Sequence, residues 1–115
     1  MTTISAKETV LLFLNALNAE DFEAARKYVS DDMKFEGVMG QRDGAEIYFG
    51  DMKKMKFKYE IKKALADNGD VMIFYDINMS GRKIFSSGWY HVENGKIECF
   101  KVLFDPRPLL EVVEK

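Results

Sequence analysis

The chain has 115 residues, of which 47% are hydrophobic and 31% charged, and its formal net charge is −2 with its one histidine neutral. This size and balance are typical of one globular domain over residues 1–115 and exclude a disordered chain. The slightly acidic charge and the lack of an apolar run of ~20 residues lead us to expect neither nucleic acid nor a membrane as a partner.

The first half of the chain begins with helical periodicity. An S-x-x-E capping box at residues 5–8 precedes apolar residues at helical spacing, which predicts a first helix that ends at about Asn18. Asp21 is predicted to cap a second, short helix whose spacing extends to Val29 and is broken at residues 30–32.

A short strand and a third helix are predicted next. Residues 33–39 read as a strand because apolar residues flank a glycine and the segment closes with another glycine. Asp43 and Glu46 form a second capping pair, which predicts a helix in which Tyr48 and Met52 share one face.

The second half of the chain changes to a period of two, which is typical of strands with one buried face. Short turns separate these strands, and Asn94-Gly95 is the strongest hairpin signal. Together the elements predict an α+β fold in which three helices pack on a curved, mainly antiparallel sheet with a cavity on its concave side. The predicted strands of this half cover residues 57–62, 71–79, 84–93 and 97–104.

Four segments carry a family resemblance: FLNALNAED at residues 13–21, SDDMKF at 30–35, GWYHVENGKI at 88–97 and FD at 104–105. In this order and spacing, the chain resembles the nuclear transport factor 2-like superfamily, and in particular its SnoaL-like polyketide cyclases and ketosteroid isomerases. The resemblance implies a single SnoaL-like domain, a cone-shaped, cystatin-like α+β barrel with an apolar pocket at its open end.

The known catalytic groups of these relatives do not carry over. At the ketosteroid isomerase positions for the aspartate base, the tyrosine and the protonated aspartic acid, this sequence has Gly37, Phe13 and Gly88. Epoxide hydrolases that resemble this fold have an aspartate two residues before the closing Phe-Asp. This sequence has Val102 at that position. We therefore expect neither of those two mechanisms.

Three residues are candidates for catalysis. Tyr75 and Tyr90 are each predicted either to offer a hydroxyl to a ligand oxygen or to be ordinary core tyrosines. Asp105 matches the closing aspartate of the family, or else it forms a local turn before a proline. The predicted ligand-binding residues are Phe13, Phe35, Tyr48, Met52, Tyr59, Ile73, Ile77, Gly88, Phe100, Val102 and Phe104.

Other polar features favour structural interpretations. Glu36 is expected in solvent, and Asp76 and His91 are too far apart along their strands, at ~13 Å, to form a catalytic pair. The lysines between residues 53 and 63 are expected to be a solvated strand face. With one histidine and the lone Cys99, we expect no metal, no cofactor and an inert thiol, and without a signal peptide we expect a cytoplasmic protein.

The direction of the side chains before Asn94-Gly95 depends on a bulge. A plain two-residue turn would point Trp89 and His91 into the pocket, whereas the resemblance points Gly88 and Tyr90 inward, which requires a bulge near Gly88 or at the turn. We follow the resemblance. The outer face then carries much apolar surface, which predicts a homodimer. Its residues are Phe74, Phe85, Trp89 and Leu103.

Two functional hypotheses follow. The first is a protein that binds a small apolar molecule and acts as a cofactor-independent isomerase, cyclase or dehydratase on a carbonyl compound. The alternative is a non-catalytic ligand-binding or dimerisation module of the same fold, which the missing catalytic side chains favour.

Overall fold

The computed structural model describes residues 4–38 and 40–108. Within these residues, three helices pack on one side of a curved six-stranded sheet, which confirms the predicted α+β cone. None of the helices in this part of the chain has both the length and the apolar character that a membrane crossing requires. In chain order the elements are α1 (Ala6–Asn18), α2 (Phe22–Arg26), β1 (Val29–Gly37), β2 (Gly40–Asp43), α3 (Ala45–Met55), β3 (Lys58–Asp67), β4 (Asp70–Met79), β5 (Arg82–Glu93) and β6 (Lys96–Phe104).

Helix α1 begins and ends as predicted. The Ser5 hydroxyl accepts a hydrogen bond from the Glu8 backbone N–H, and the Glu8 carboxylate accepts one from the Ser5 N–H, each at 3.1 Å. This capping box satisfies two backbone donors that no helical carbonyl can reach. The apolar face that α1 turns to the sheet is Val10, Phe13, Leu14 and Leu17.

The predicted end of α2 and start of β1 are wrong. Asp21 caps α2 as predicted, but the helix stops at Arg26, and Val29 is the first residue of β1 rather than the last apolar residue of a helix. Val29 is fully buried opposite Ile97 of β6, and this distant partner overrides the local helical spacing. Residues 30–32 are therefore strand. Met39, the end of the predicted strand, lies outside the described residues.

Strand β2 was not predicted. All four of its residues are exposed, so the sequence shows no alternation of apolar and polar positions there. Asp43 pairs with Lys34 inside this hairpin and does not cap α3. The N-cap is Gly44, with a φ of 100° and no side-chain hydrogen bond, because the chain must turn sharply between the edge strand and the helix.

The sheet order is β2-β1-β6-β5-β4-β3, with β1 and β6 parallel and the other neighbours antiparallel. The predicted bulge lies at the β5–β6 turn: His91 pairs with Cys99 and Val92 with Ile97, which leaves Glu98 as the extra residue. The bulge turns Tyr90 inward and leaves Trp89 exposed, as the family resemblance implied.

Candidate functional site

A cavity of about 310 Å³ lies between α3 and the inner face of the sheet. Its volume is at the lower end of the ~300–1,000 Å³ range of small-molecule sites. The described residues that line it are mostly apolar or aromatic: Phe35, Gly37, Gly40, Arg42, Tyr48, Asp51, Met52, Met55, Phe57, Tyr59, Tyr75, Ile77, Met79, Ser80, Tyr90, Phe100, Val102 and Phe104.

Most of the predicted site residues line this cavity. The structure brings together ten of them: Phe35, Tyr48, Met52, Tyr59, Tyr75, Ile77, Tyr90, Phe100, Val102 and Phe104.

Three predicted ligand-binding residues lie elsewhere. Phe13 and Ile73 are fully buried in the core rather than in the cavity wall. Phe13 packs edge-on against the rings of Tyr90 and Phe100, at centroid distances of 6.4 and 6.1 Å. Gly88 also lies outside the lining, directly beside the Tyr75 hydroxyl. Phe13 and Gly88 therefore lie directly beside aromatic rings of the cavity wall.

The hydroxyls of Tyr75 and Tyr90 lie 2.7 Å apart and form a hydrogen bond in the cavity wall. Strands β4 and β5 both turn these side chains inward, and the two residues are 0% and 1% exposed. Burial raises the pKa of both phenols well above the ordinary tyrosine value. Both side chains are therefore neutral at physiological pH and can donate hydrogen bonds.

Tyr48 and Tyr59 add two more phenols to the cavity. The rings of Tyr59 and Tyr75 lie 5.4 Å apart. Desolvation raises the pKa of both Tyr48 and Tyr59. The Tyr59 backbone is fixed by the Asn18 side chain, which accepts from its N–H at 2.7 Å and donates to its carbonyl at 2.8 Å.

An ion pair at the cavity surface was missed by the sequence analysis. Arg42 of β2 donates from Nε to Asp51 Oδ2 of α3 at 2.7 Å, and from Nη1 to the Gln41 carbonyl at 3.0 Å. The side chains of Arg42 and Asp51 are 50% and 31% exposed. The spacing of Asp51 from Tyr48 and Met55 on α3 is the signal that could have found it, because residues three and four apart share a helix face.

Asp105 is not brought to the cavity. Arg107 donates to its carboxylate from the backbone N–H at 3.0 Å and from the guanidinium at 2.6 to 2.9 Å. This local pairing lowers the pKa of Asp105. The geometry is that of the turn alternative rather than of a catalytic carboxylate.

Glu36 is exposed as expected, 3.8 Å from the Lys101 ammonium. It lies beside Gly37, which has no side chain to act as a base at the cavity. The other family positions, Phe13, Gly88 and Val102, also carry no titratable group.

His91 pairs with Asp70 on the outer side of the sheet, not with Asp76. Its Nδ1 lies 3.0 Å from Asp70 Oδ1 and its Nε2 lies 3.2 Å from Glu93 Oε1, and both contacts raise the pKa of His91. Asp76 lies opposite Phe85, 3.7 Å from the Lys62 ammonium. The expectation that Asp76 and His91 are separate is confirmed.

No group of three His, Cys, Asp or Glu side chains within residues 4–38 and 40–108 is arranged to hold a metal ion. Cys99 is exposed on β6, and its pKa is raised, first by partial desolvation and then by the Glu98 charge. A thiol with a raised pKa is a weak nucleophile at neutral pH.

Comparison with known proteins places this geometry in a family. The sequence model of the SnoaL-like domain matches residues 10–100. An NTF2-like protein of unknown function from Cytophaga hutchinsonii is 49% identical and superposes with a TM-score of 0.92, covering 95% of this chain and 97% of that one. No curated protein gives a significant sequence match.

More distant structures share the fold. A proposed ketosteroid isomerase from Kribbella flavida is 12% identical, with a TM-score of 0.80 over 87% of this chain and 77% of that one. An epoxide hydrolase of the LEH-like type from Mycobacterium tuberculosis is 24% identical, with a TM-score of 0.76 over 95% of both chains.

Proposed function

Since this chain belongs to the SnoaL-like domain family, we propose that its cavity binds a small apolar molecule that carries a carbonyl group, and that the Tyr75–Tyr90 pair holds the carbonyl oxygen. The observation that carries the proposal is this pair of neutral phenols in a wall that is otherwise mainly apolar.

The hydrogen-bond inventory explains the preference for an acceptor. When one hydroxyl of the pair donates to the other, one O–H remains to donate to a ligand oxygen. The two linked hydroxyls polarise each other, which strengthens the outward bond in a site of low polarity. A ligand without an acceptor oxygen would cover this O–H and leave it unpaired, at a cost of about 1–3 kcal/mol.

A pair of matched ketone and hydrocarbon probes tests this function. Acetonaphthone and ethylnaphthalene, both substituted at the same ring carbon, have similar shapes, but only the ketone has an acceptor oxygen. By calorimetry we expect the ketone to bind about tenfold more tightly, and the double variant Tyr75→Phe/Tyr90→Phe to remove the difference. The control is Tyr28→Phe, whose ring packs on the core outside the cavity lining. Equal binding of both probes by the unmodified protein contradicts the proposal.

A second candidate function, enolisation of the bound ketone, is favoured by Asp51. It is the only carboxylate among the described residues that line the cavity. In this reaction the C–H bond next to the carbonyl breaks, its proton passes through a bridging water to Asp51 at the cavity surface, and its electrons form an enolate whose oxygen accepts from the tyrosine pair. In a β,γ-unsaturated carbonyl compound, return of the proton to the γ-carbon shifts the double bond and completes an isomerisation without a cofactor.

Deuterium exchange into acetonaphthone tests the enolisation. In D₂O, the methyl group of acetonaphthone should exchange its protons for deuterium faster with the protein than without it, as followed by NMR. The double tyrosine variant should lower this rate by about 100-fold or more, because it removes the hydroxyl pair that donates to the enolate oxygen. Exchange at the uncatalysed rate would favour the non-catalytic alternative.

We also propose that a second copy of the chain covers the outer face of the sheet, defined by Met72, Phe74, Phe85, Trp89 and Leu103. Phe85 and Leu103 are 63% and 65% exposed, and Phe74 and Phe85 stack at 6.3 Å. Such a contiguous apolar surface is typical of an interface.

The charges at the ends of this face complement a second copy. Asp70 and Glu93 lie at one end of the β4–β5 ladder, and Arg82 and Lys83 lie at the other. A two-fold axis that lies in the plane of the interface and runs across the strands would set the acidic end of one copy against the basic end of the other.

A further inference from the structure

Resting on the proposed function, we propose that the ligand is an oxo acid: its carbonyl binds the Tyr75–Tyr90 pair, and its carboxylate binds Arg42 at the cavity surface. The structure contains both halves of such a site, and they differ in exposure.

The polar groups of the cavity are divided by depth. The hydroxyl-bearing Tyr75 and Tyr90 are almost fully buried, whereas the Arg42 side chain is 50% exposed. Between them the lining is mainly apolar, with rings such as Phe35 and Phe100, whose centroids lie 5.0 Å apart. A ligand that matches this order has a carbonyl at its buried part, an apolar body, and a charged group near solvent.

Arg42 is held in position on two sides. Asp51 accepts from its Nε and the Gln41 carbonyl accepts from its Nη1, so that two of its five N–H donors make the described bonds. These contacts fix the plane of the guanidinium before a ligand arrives, which lowers the entropic cost of binding. A planar guanidinium is the side chain best suited to a carboxylate, because it can donate two parallel hydrogen bonds.

The local charge favours an anion over a cation. Asp51 is already occupied by Arg42 at 2.7 Å, and Lys54 follows it by one helical turn on α3. Lys53 adds a further exposed positive charge in the same turn. A cationic ligand would have to compete with Arg42 for Asp51, whereas a carboxylate adds a second acceptor to a guanidinium with donors to spare.

The test compares 6-acetyl-2-naphthoic acid, an aryl oxo acid in which the ring separates the carbonyl from the carboxylate, with its uncharged methyl ester. Calorimetry at low ionic strength should show the acid binding about tenfold more tightly than the ester. The ratio of the two affinities should fall to about one in Arg42→Gln and stay near ten in Lys7→Gln, which removes a positive charge from the exposed start of α1. In Arg42→Lys this ratio should lie between one and about ten, because lysine keeps the positive charge but cannot donate two parallel hydrogen bonds to the carboxylate.

The outcomes separate the two proposals. If acid and ester bind equally to the unmodified protein, the oxo-acid inference is overturned and the carbonyl site stands. If neither binds, and acetonaphthone also fails to bind, the proposed function itself is wrong. A ratio that falls as much in Lys7→Gln as in Arg42→Gln also overturns the assignment of Arg42, because the preference would then come from the overall charge. The comparison in the unmodified protein does not depend on the folding of any variant.

Discussion

Gly88 leaves open the space that the Tyr75 hydroxyl occupies. A Cβ atom at position 88 would lie well inside contact distance of this hydroxyl and 2.7 Å from Tyr90 Cε1. Tyr75 reaches this space from β4, and its hydroxyl there forms the hydrogen bond with the Tyr90 hydroxyl.

Gly88→Ala should therefore disrupt the tyrosine pair. The added methyl group overpacks the site, and we expect a loss of about 1–3 kcal/mol in the free energy of unfolding, together with weaker binding of acetonaphthone. The matched control is Gly50→Ala on α3, where a Cβ meets nothing within 4 Å. That change should stabilise by about 0.5–1 kcal/mol, because alanine favours a helix. Chemical denaturation measures both, and a Gly88→Ala variant as stable as the unmodified protein would contradict the packing.

The coupling between Tyr75 and Tyr90 should appear in a double-mutant cycle. Each single change to phenylalanine breaks their hydrogen bond and leaves one hydroxyl without its partner, so we expect each to cost about 1–2 kcal/mol of unfolding free energy. The double variant should cost less than the sum, by about 0.5 kcal/mol or more, because no hydroxyl is left unpaired. Strict additivity in urea denaturation would show that the hydroxyls are not coupled.

Asp51→Asn should strengthen the binding of the oxo acid but slow the deuterium exchange into acetonaphthone. The amide keeps an oxygen that can accept from Arg42 but removes a negative charge beside the proposed carboxylate site, so the oxo acid should bind a few-fold more tightly. The same change removes the proposed proton acceptor, so deuterium exchange into acetonaphthone should slow by about 100-fold. A parallel fall in both measurements would point to a structural role for Asp51 instead.

Phe85→Lys should separate the proposed dimer. A buried aromatic anchor contributes about 2 kcal/mol or more to an interface, so the dimer dissociation constant should rise about 30-fold or more. Ile47→Lys is the control, since Ile47 is 55% exposed on α3, away from the outer face. Sedimentation velocity over a range of concentrations gives both constants, and equal behaviour of the two variants would argue against this face.

The pKa of His91 should lie above the ordinary histidine value of 6.5, because the carboxylates of Asp70 and Glu93 accept hydrogen bonds from its charged ring. When folding raises the pKa of a histidine, its charged form stabilises the folded protein at pH values below the unfolded-state pKa. This stabilisation is lost as the pH rises through the folded-state pKa. His91→Gln should therefore lower the free energy of unfolding at about pH 5.5, by at most about 1 kcal/mol for so exposed a pair, and leave it nearly unchanged at about pH 8.5.

The partner of His91 can be identified by NMR, because this is the one histidine of the chain. Asp70→Asn should lower the pKa read from its ring protons. Asp76→Asn should not, since Asp76 lies opposite Phe85. A larger effect from Asp76→Asn would contradict the observed pairing.

Much of the fold follows from local patterns. The capping box at Ser5 and Glu8 and the Asn94-Gly95 hairpin appear where their chemistry predicts, because each depends on residues that are neighbours in the chain. The resemblance carried by residues 88–97 also gave the correct inward direction of Tyr90. The prediction for Val29 is wrong because pairing with the distant strand β6 outweighs its helical spacing. The prediction for Asp43 is wrong because the sharp turn before α3 makes Gly44 the N-cap.

For the site, the sequence by itself divided the side chains of β4 into two faces by their alternation, and the family resemblance selected the inward face of β5. Only the tertiary structure decided that Tyr75 and Tyr90 meet at 2.7 Å, since their contact depends on strand register and on the empty space at Gly88. It likewise brought Arg42 of an exposed edge strand to Asp51 of a helix, a contact that no periodicity encodes. Chemistry at a site depends on distances between segments, and packing sets those distances.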